Sequence, residues 1–245
     1  MILLGLDVET SGLDPVNDRV IEIGAVLYKW DTKMPMQILS ELIDPAMDMT
    51  TASDQFKLPE EITAITGITD EALSDYGTYE KDVLIRLHGM AAHADYFVAH
   101  NGNAFDKLFV EESHRRHGMT TDDRLWLDTM VDIKYPASIK TRNLHHLGAD
   151  HMVLNPFRHR AVFDVLTMFK VMEQYDLDSI IARSKEPMVY LQAVVSFDEK
   201  EKAKERGYHW YAPTKIWWKG QKQSDAEIEV TECGFQTRRL ERAPE

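Results

Sequence analysis

The opening stretch, MILLGLDVET, sets two carboxylates, Asp7 and Glu9, into an otherwise apolar run. The run reads as a buried strand, and residues two apart on a strand project from one face. Their Cα atoms then lie roughly 6.5–7 Å apart, from the strand rise. A fold built on this strand must house paired acids whose spacing lets both reach a common metal pair.

Further acids follow in two short motifs, Asp106 in HNGNAFD and Asp164 in HRAVFD, the latter opened by His159. Four carboxylates and one imidazole are the parts of a two-metal phosphodiester hydrolase. Carboxylate oxygens bind hard divalent ions, so all-oxygen ligation by Asp7, Glu9, Asp106 and Asp164 points to Mg²⁺ or Mn²⁺ before Zn²⁺. Two such ions can stabilise the attacking and leaving oxygens of an in-line displacement. His159 stands five positions before Asp164. Five residues turn a helix by about 500°, which leaves the two side chains roughly 140° apart. His159 is therefore expected on a loop or at a helix entry, reaching over the site, with an ordinary pKa of about 6.5 that suits a base.

Around these motifs the patterning alternates. ILLGLDVE, VIEIGAVLYKW from Val20 and ILSELID from Ile38 read as three strands with short connections, an antiparallel meander. LPEEITAITGITDEAL carries helix signals, with Pro59 near the start and Gly67 as a stop. A longer helix is expected through Val83, Leu84 and Leu87. DYFVAH and RLWLD read as strands. FDKLFVEESHRRHG, NLHHLGA and the stretch from about Arg160 to Gln174 read as helices. This order predicts a mixed-sheet, three-layer α/β domain.

The three motifs, D-x-E, N-x3-F-D and H-x4-D in that order, resemble the DEDDh branch of the DnaQ-like 3′→5′ exonucleases. The resemblance covers roughly residues 1 to 180. In the second motif Gly102, Asn103 and Ala104 stand between Asn101 and Phe105, one residue more than in several members and a length other members share. The resemblance implies a ribonuclease-H-like fold and two ions per active site. It implies His159 as the general base for the attacking water, and Glu9 both as a ligand and in contact with the terminal 3′-hydroxyl. It places Thr10, Leu13, Asn101 and Phe105 on the substrate side. The products implied are nucleoside 5′-monophosphates from the 3′ end.

The composition shifts after about Lys185. The segment to about residue 222 is rich in lysine and tryptophan and reads as a small β-α-β unit. Asp198 is expected as its helix N-cap with Glu201 as capping-box partner, and Gly207 as the stop. It resembles a small domain of uncharacterised role found in phage, plasmid and DNA-processing proteins, through Glu199-Lys200, Ala203-Lys204, Gly207, Trp210, Lys215 and Trp217. Two readings stand for it. Trp210 and Trp217 form the core of a tiny domain, or the tryptophans and lysines contact a single strand. Residues 223–245 read as a polar tail, which divides the chain into 1–184, 185–222 and 223–245.

Length and a 44% hydrophobic content allow a proper core. The net charge of −13 opposes tight, non-specific duplex binding. Part of that acidity is the metal cluster itself, and an enzyme holding a strand end needs only a local cationic track. The single cysteine, Cys233, excludes an internal disulfide and fits a reducing cytoplasm. MILLGL is too short for a signal peptide, and no apolar run reaches membrane-span length. No cysteine or carboxylate joins His145, His146 and His151 at zinc-like spacing, so no metal role is assigned to them. His114 and His117 read as a polar helix face. The expected function is 3′→5′ trimming of single-stranded nucleic acid, DNA before RNA, with a replication or repair protein as a possible partner. DNA is favoured by the appended unit and by similarity to exonuclease X members. RNA 3′-end trimming and a non-catalytic adaptor role are the alternatives.

Overall fold

The computed structural model describes residues 1–48 and 56–244. The chain divides into two compact units, Met1–Ile180 and Ile181–Glu245.

The first unit is built on a five-stranded mixed sheet of β1 (Ile2–Thr10), β2 (Val20–Lys29), β3 (Met34–Leu42), β4 (Tyr96–Ala99) and β5 (Trp126–Asp128), in the order β3-β2-β1-β4-β5. The β1–β2 and β2–β3 pairs are antiparallel and the β1–β4 and β4–β5 pairs parallel. The strand β3 begins four residues before the expected Ile38. Helices α1 (Glu60–Thr66), α2 (Asp70–Tyr76), α3 (Glu80–Ala91), α4 (Asp106–Arg116), α5 (Leu144–Asp150) and α6 (Ala161–Met172) complete the unit, and α7 (Leu177–Ser184), not anticipated from sequence, carries the chain across the boundary. Gly67 and Gly118 end α1 and α4 with positive φ, as glycine allows at a helix C-terminus.

Alternation sorts β1 and β2 between two helical layers. Leu4, Leu6, Val8, Ile23, Ala25 and Leu27 pack with Val83, Leu84 and Leu87 of α3 and Phe109 of α4. The opposite face meets α6, where Tyr28 stacks on Phe169 at 4.3 Å between centroids. Glycine sets the distance on that face. A Cβ on Gly5 would lie 2.6 Å from Val165 Cγ1, and one on Gly24 would lie 2.3 Å from the Val162 backbone nitrogen. Two absent side chains thus let α6 rest directly on the sheet, which gives the three-layer α/β architecture with the apolar core against α3 and α4.

The second unit is a four-stranded antiparallel sheet, β6 (Met188–Val194), β7 (His209–Tyr211), β8 (Ile216–Lys222) and β9 (Gln236–Leu240), in the order β7-β8-β6-β9, with α8 (Lys200–Glu205) and α9 (Gln223–Glu232). It is larger than the expected β-α-β unit. In place of a polar tail, α9 and β9 complete the unit, with β9 pairing along β6 from Tyr190↔Leu240 to Val194↔Gln236. Glu229 of α9, nearly buried, binds Arg206 at 2.9 Å and Lys219 at 3.0 Å, which pins α9 down. The expected capping box of Asp198 and Glu201 does not form: a short 3-10 turn, Phe197–Glu199, leads into α8, whose N-cap is Glu199 without a side-chain cap bond, and Ser196 Oγ donates to Glu199 Oε2 at 3.1 Å. Gly207 ends the helix with a φ of 80°. Among the described residues no helix is long and apolar enough to cross a membrane.

Candidate active site

Asp7 and Glu9 occupy the α6 face of β1, in the alternation that includes Gly5. On the ladder Asp7 lies opposite Gly24, and Glu9 opposite Glu22. The register slips between Glu9 and Thr10, an irregularity just before the last pair of the ladder, Thr10↔Val20. Because Gly24 admits the start of α6, Asp164 in its first turn comes down over the two acids. His159 lies before the helix with a φ of 57°, an uncommon left-handed conformation for a residue with a side chain. It sits at the helix entry, on the exposed side. One carboxylate oxygen each from Glu9 and Asp164 and one imidazole nitrogen of His159 lie within 4.8 Å of one another.

Asp164 is held from two sides. Its Oδ2 accepts from the His159 backbone N–H at 2.9 Å, and its Oδ1 accepts from Asn155 Nδ2 at 2.7 Å. Asp106, 2% exposed at the start of α4, accepts from the Val8 backbone N–H at 3.0 Å, so it is tied to the strand that carries the other two acids. The turn that launches it is organised by Asp128 at the end of β5. Asp128 accepts from the backbone N–H groups of Asn101, at 2.9 Å, and Asn103, at 3.2 Å. Asn101 adopts a φ of 68° there.

These residues share one cavity of about 330 Å³, whose walls include Asp7, Glu9, Asp106, His159, Asp164, Asn101 and Phe105. The structure does not bring Thr10 and Leu13 into it. The Thr10 hydroxyl is buried and donates to the Gly12 carbonyl at 2.6 Å, and Leu13 points to solvent. Thr10 is the last residue of β1 and Leu13 lies in the turn that follows, whose closure uses up the Thr10 side chain.

Several contributors escape a motif reading. Glu22, 1% exposed, accepts from Arg160 at 3.1 Å and from the Ala161 backbone N–H at 3.2 Å, fixing the start of α6. Its only sequence signal is an acid in the apolar run VIEIGAV. His100, His145 and His146 also line the cavity. His151 does not; it binds the Leu147 carbonyl and Tyr175. The expected polar face at His114 and His117 does not face solvent: His114 is buried and His117 half-buried. His114 bonds the Val110 carbonyl at 2.6 Å, and His117 sits 2.8 Å from Glu80 and 3.6 Å from Asp48.

The electrostatics follow from crowding. Burial, then the charges of Asp164, Glu22 and Asp106, push the Glu9 carboxyl up to about 8. Burial pushes Asp106 up to about 7 against the bond from Val8. Burial also lifts Asp164 to about 6, against the bonds from His159 and Asn155. Asp7 is held well above the usual carboxylate range by burial and by Asp106, Glu9 and Asp164. His159 moves the other way: burial and the positive neighbours Arg158 and His145 lower it. An all-oxygen set whose acids repel one another to this degree fits hard divalent cations, which would offset the repulsion.

Residues 4–172 match the RNase_T exonuclease family. The PolC-type DNA polymerase III of Thermotoga maritima is 32% identical over 162 residues, 65% of this chain and 10% of that protein. That of Pediococcus pentosaceus is 30% identical over 160 residues, 64% of this chain and 10% of that protein. The chain thus spans about a tenth of the length of these curated relatives. Among solved structures, E. coli exonuclease I with a dT13 oligonucleotide matches at a TM-score of 0.58 and 17% identity, over 79% of this chain and 48% of that one. The zinc-bound E. coli exonuclease I–single-stranded DNA complex matches at 0.63 and 16%, over 78% and 47%. At these identities the structural likeness concerns the fold.

Proposed function

The chain belongs to the RNase_T exonuclease family, and on that premise we propose that it removes nucleotides one at a time from the 3′ end of single-stranded DNA. The observation that carries the reading is the convergence of Asp7, Glu9, Asp106, Asp164 and His159 on one cavity, with the acids' pKa values raised together.

Asp7, Glu9, Asp106 and Asp164 would hold two divalent ions, Mg²⁺ or Mn²⁺, which when bound offset charge on the attacking and leaving oxygens of the phosphodiester. The rest falls to the protein. His159 is neutral near pH 7 because its pKa is lowered, so its imidazole can take a proton from the attacking water. The new P–O bond forms as the bond to the 3′-oxygen of the preceding nucleotide breaks. That oxygen leaves with a proton from solvent, giving a nucleoside 5′-monophosphate and a strand one residue shorter. Glu9, within 4.8 Å of a His159 ring nitrogen, contacts the terminal 3′-hydroxyl. Phe105, packed on Phe109 at 4.9 Å between centroids, offers its remaining face to the terminal base, and Asn101 a polar edge. The 3′→5′ polarity is supported by the order and identity of the three motifs. DNA as substrate is supported by the PolC-type DNA polymerase relatives and by the single-stranded DNA bound to exonuclease I.

The test uses 5′-labelled single-stranded DNA and RNA with Mg²⁺ or EDTA, beside Asp7→Ala and His159→Ala. A ladder that shortens from the 3′ end of DNA, lost in EDTA and in both variants, is expected. Cleavage that survives Asp7→Ala would sink the metal assignment, and faster shortening of RNA would reassign the substrate.

A further inference from the structure

The second unit holds a cavity of its own, about 650 Å³, which the catalytic reading leaves unused. Its walls are aromatic. Phe197 is 78% and Trp210 49% exposed, yet the unit's core is made by others, among them Val189, Leu191, Ala193 and Tyr208. Packing therefore does not account for these two rings. Trp210 had one reading as core, and the structure places it at the surface instead. It stands on the edge strand β7, tilted against Trp217 at 5.6 Å between centroids, and Trp217 in turn rests on the core. Trp210 is thus an exposed ring with a rigid backing.

The rim is cationic. Lys200 Nζ lies 3.8 Å above the Phe197 ring, and Lys204 and Lys215 line the same cavity. Among the described residues Lys200 and Lys215 form no ion pair, and Lys204 meets only the exposed Glu201, at 3.9 Å. Residues 181–245 carry twelve Lys and Arg against eleven Asp and Glu, where the whole chain has 28 against 41. The chain's acidity lies outside this unit, so an anionic polymer meets little repulsion here.

Exposed rings beside Lys200 and Lys215, which form no ion pair among the described residues, are what an unpaired base with flanking phosphates requires, since every base has a face to stack and every link a charge to neutralise. We propose that this groove binds single-stranded DNA, with Phe197 and Trp210 stacking on bases and Lys200, Lys204 and Lys215 on phosphates. A paired duplex hides its base faces from such rings, and a purely apolar ligand has no use for three cations. The choice of DNA over RNA rests on the activity proposed above.

The test measures the anisotropy of fluorescein-labelled dT12 with the full chain in EDTA. Turnover, which the proposed activity makes dependent on divalent ions, is then suppressed. Phe197→Ala and Trp210→Ala should each weaken binding by about fivefold or more, while Trp210→Phe keeps most of the affinity. Lys200→Glu with Lys215→Glu should weaken it and flatten its salt dependence. Truncating the exposed Phe197 does not threaten the fold, so unchanged affinity in Phe197→Ala and Trp210→Ala overturns the inference. A salt slope untouched by the lysine changes points to an apolar ligand and also overturns it. Equal or tighter binding of rU12 overturns the choice of DNA. Hydrolysis of thymidine 5′-monophosphate p-nitrophenyl ester with Mg²⁺ is read separately: its absence from the unaltered chain would defeat the activity, not the groove.

Discussion

The backbone N–H of His159 donates to Oδ2 of Asp164 at 2.9 Å, so one contact sets both the expected base and an expected metal ligand. The bond closes the loop back on the first turn of α6, where an acid also meets the favourable end of the helix dipole. Asn155 supports the arrangement twice. Its Nδ2 donates to Asp164 Oδ1, and its Oδ1 accepts from the Phe157 backbone N–H at 2.9 Å.

The pH dependence of turnover follows from the imidazole. A base works when unprotonated, so the rate rises with pH through the His159 pKa and then levels. Because burial, Arg158 and His145 lower that pKa, the acid limb should have its midpoint below 6.5. His159→Ala should cost about 10²–10⁴ in kcat and remove this limb. Rates from pH 5 to 8 at saturating Mg²⁺ check it, and an unchanged limb in the variant would reassign the base.

Metal-free protein should lose stability as pH rises from about 4 to about 8. Glu9, Asp106 and Asp164 have folded pKa values of about 8, 7 and 6, above their ordinary values of 4.5, 3.8 and 3.8. In that window the folded chain binds more protons than the unfolded one, and ∂ΔG/∂pH is negative. Bound divalent ions should reverse the trend, stabilising by about 2.7 kcal/mol at a hundred times Kd. Thermal melts in EDTA and in Mg²⁺ across this range measure both, and equal melting curves at pH 8 would count against a metal site.

Glu22 should prove a positioning residue. Glu22→Ala leaves the Ala161 N–H and the Arg160 guanidinium without their shared acceptor, at about 1–3 kcal/mol. Glu22→Gln keeps an acceptor and should recover most of the stability. If the role is positioning, Glu22→Ala also weakens Mg²⁺ binding, by up to about 10–100-fold on the scale of ligand-supporting contacts. Isothermal titration of both variants separates this from a loss of stability alone.

Gly24→Ala should displace α6. The added methyl group meets backbone at 2.3 Å, not a side-chain tip that can swing aside. The expected result is a loss of about 1–3 kcal/mol together with a fall in kcat. Gly89→Ala on α3, where nothing lies within 4 Å, serves as the control and should be neutral or slightly stabilising. Equal melting temperatures and rates for the two variants would refute the close approach.

Much of the catalytic unit can be read from the chain because its signals are local. Asp7 and Glu9 share a face by strand period alone, and the angle between His159 and Asp164 on a helix already places the histidine at the entry. Glu22 is hidden because its burial depends on Arg160, 138 residues away. Thr10 and Leu13 lie outside the lining of the cavity because the register slip after Glu9, invisible in the pattern, changes the course of the strand end. In the second unit, QSDAEIEVTE is polar enough to pass for a tail. Its helix is held by one acid, Glu229, between Arg206 and Lys219, and by a strand partner far back in β6.

The seating of α6 on Gly5 and Gly24 also has a meaning in time. The strand with Asp7 and Glu9 is synthesised well before α6, and its hairpin with β2 can pair early. Asp164 and His159 arrive only when α6 docks, which needs the sheet already formed. A partly made chain therefore lacks two of the five candidate site residues, and the cavity stays open until α6 has emerged and docked on the sheet.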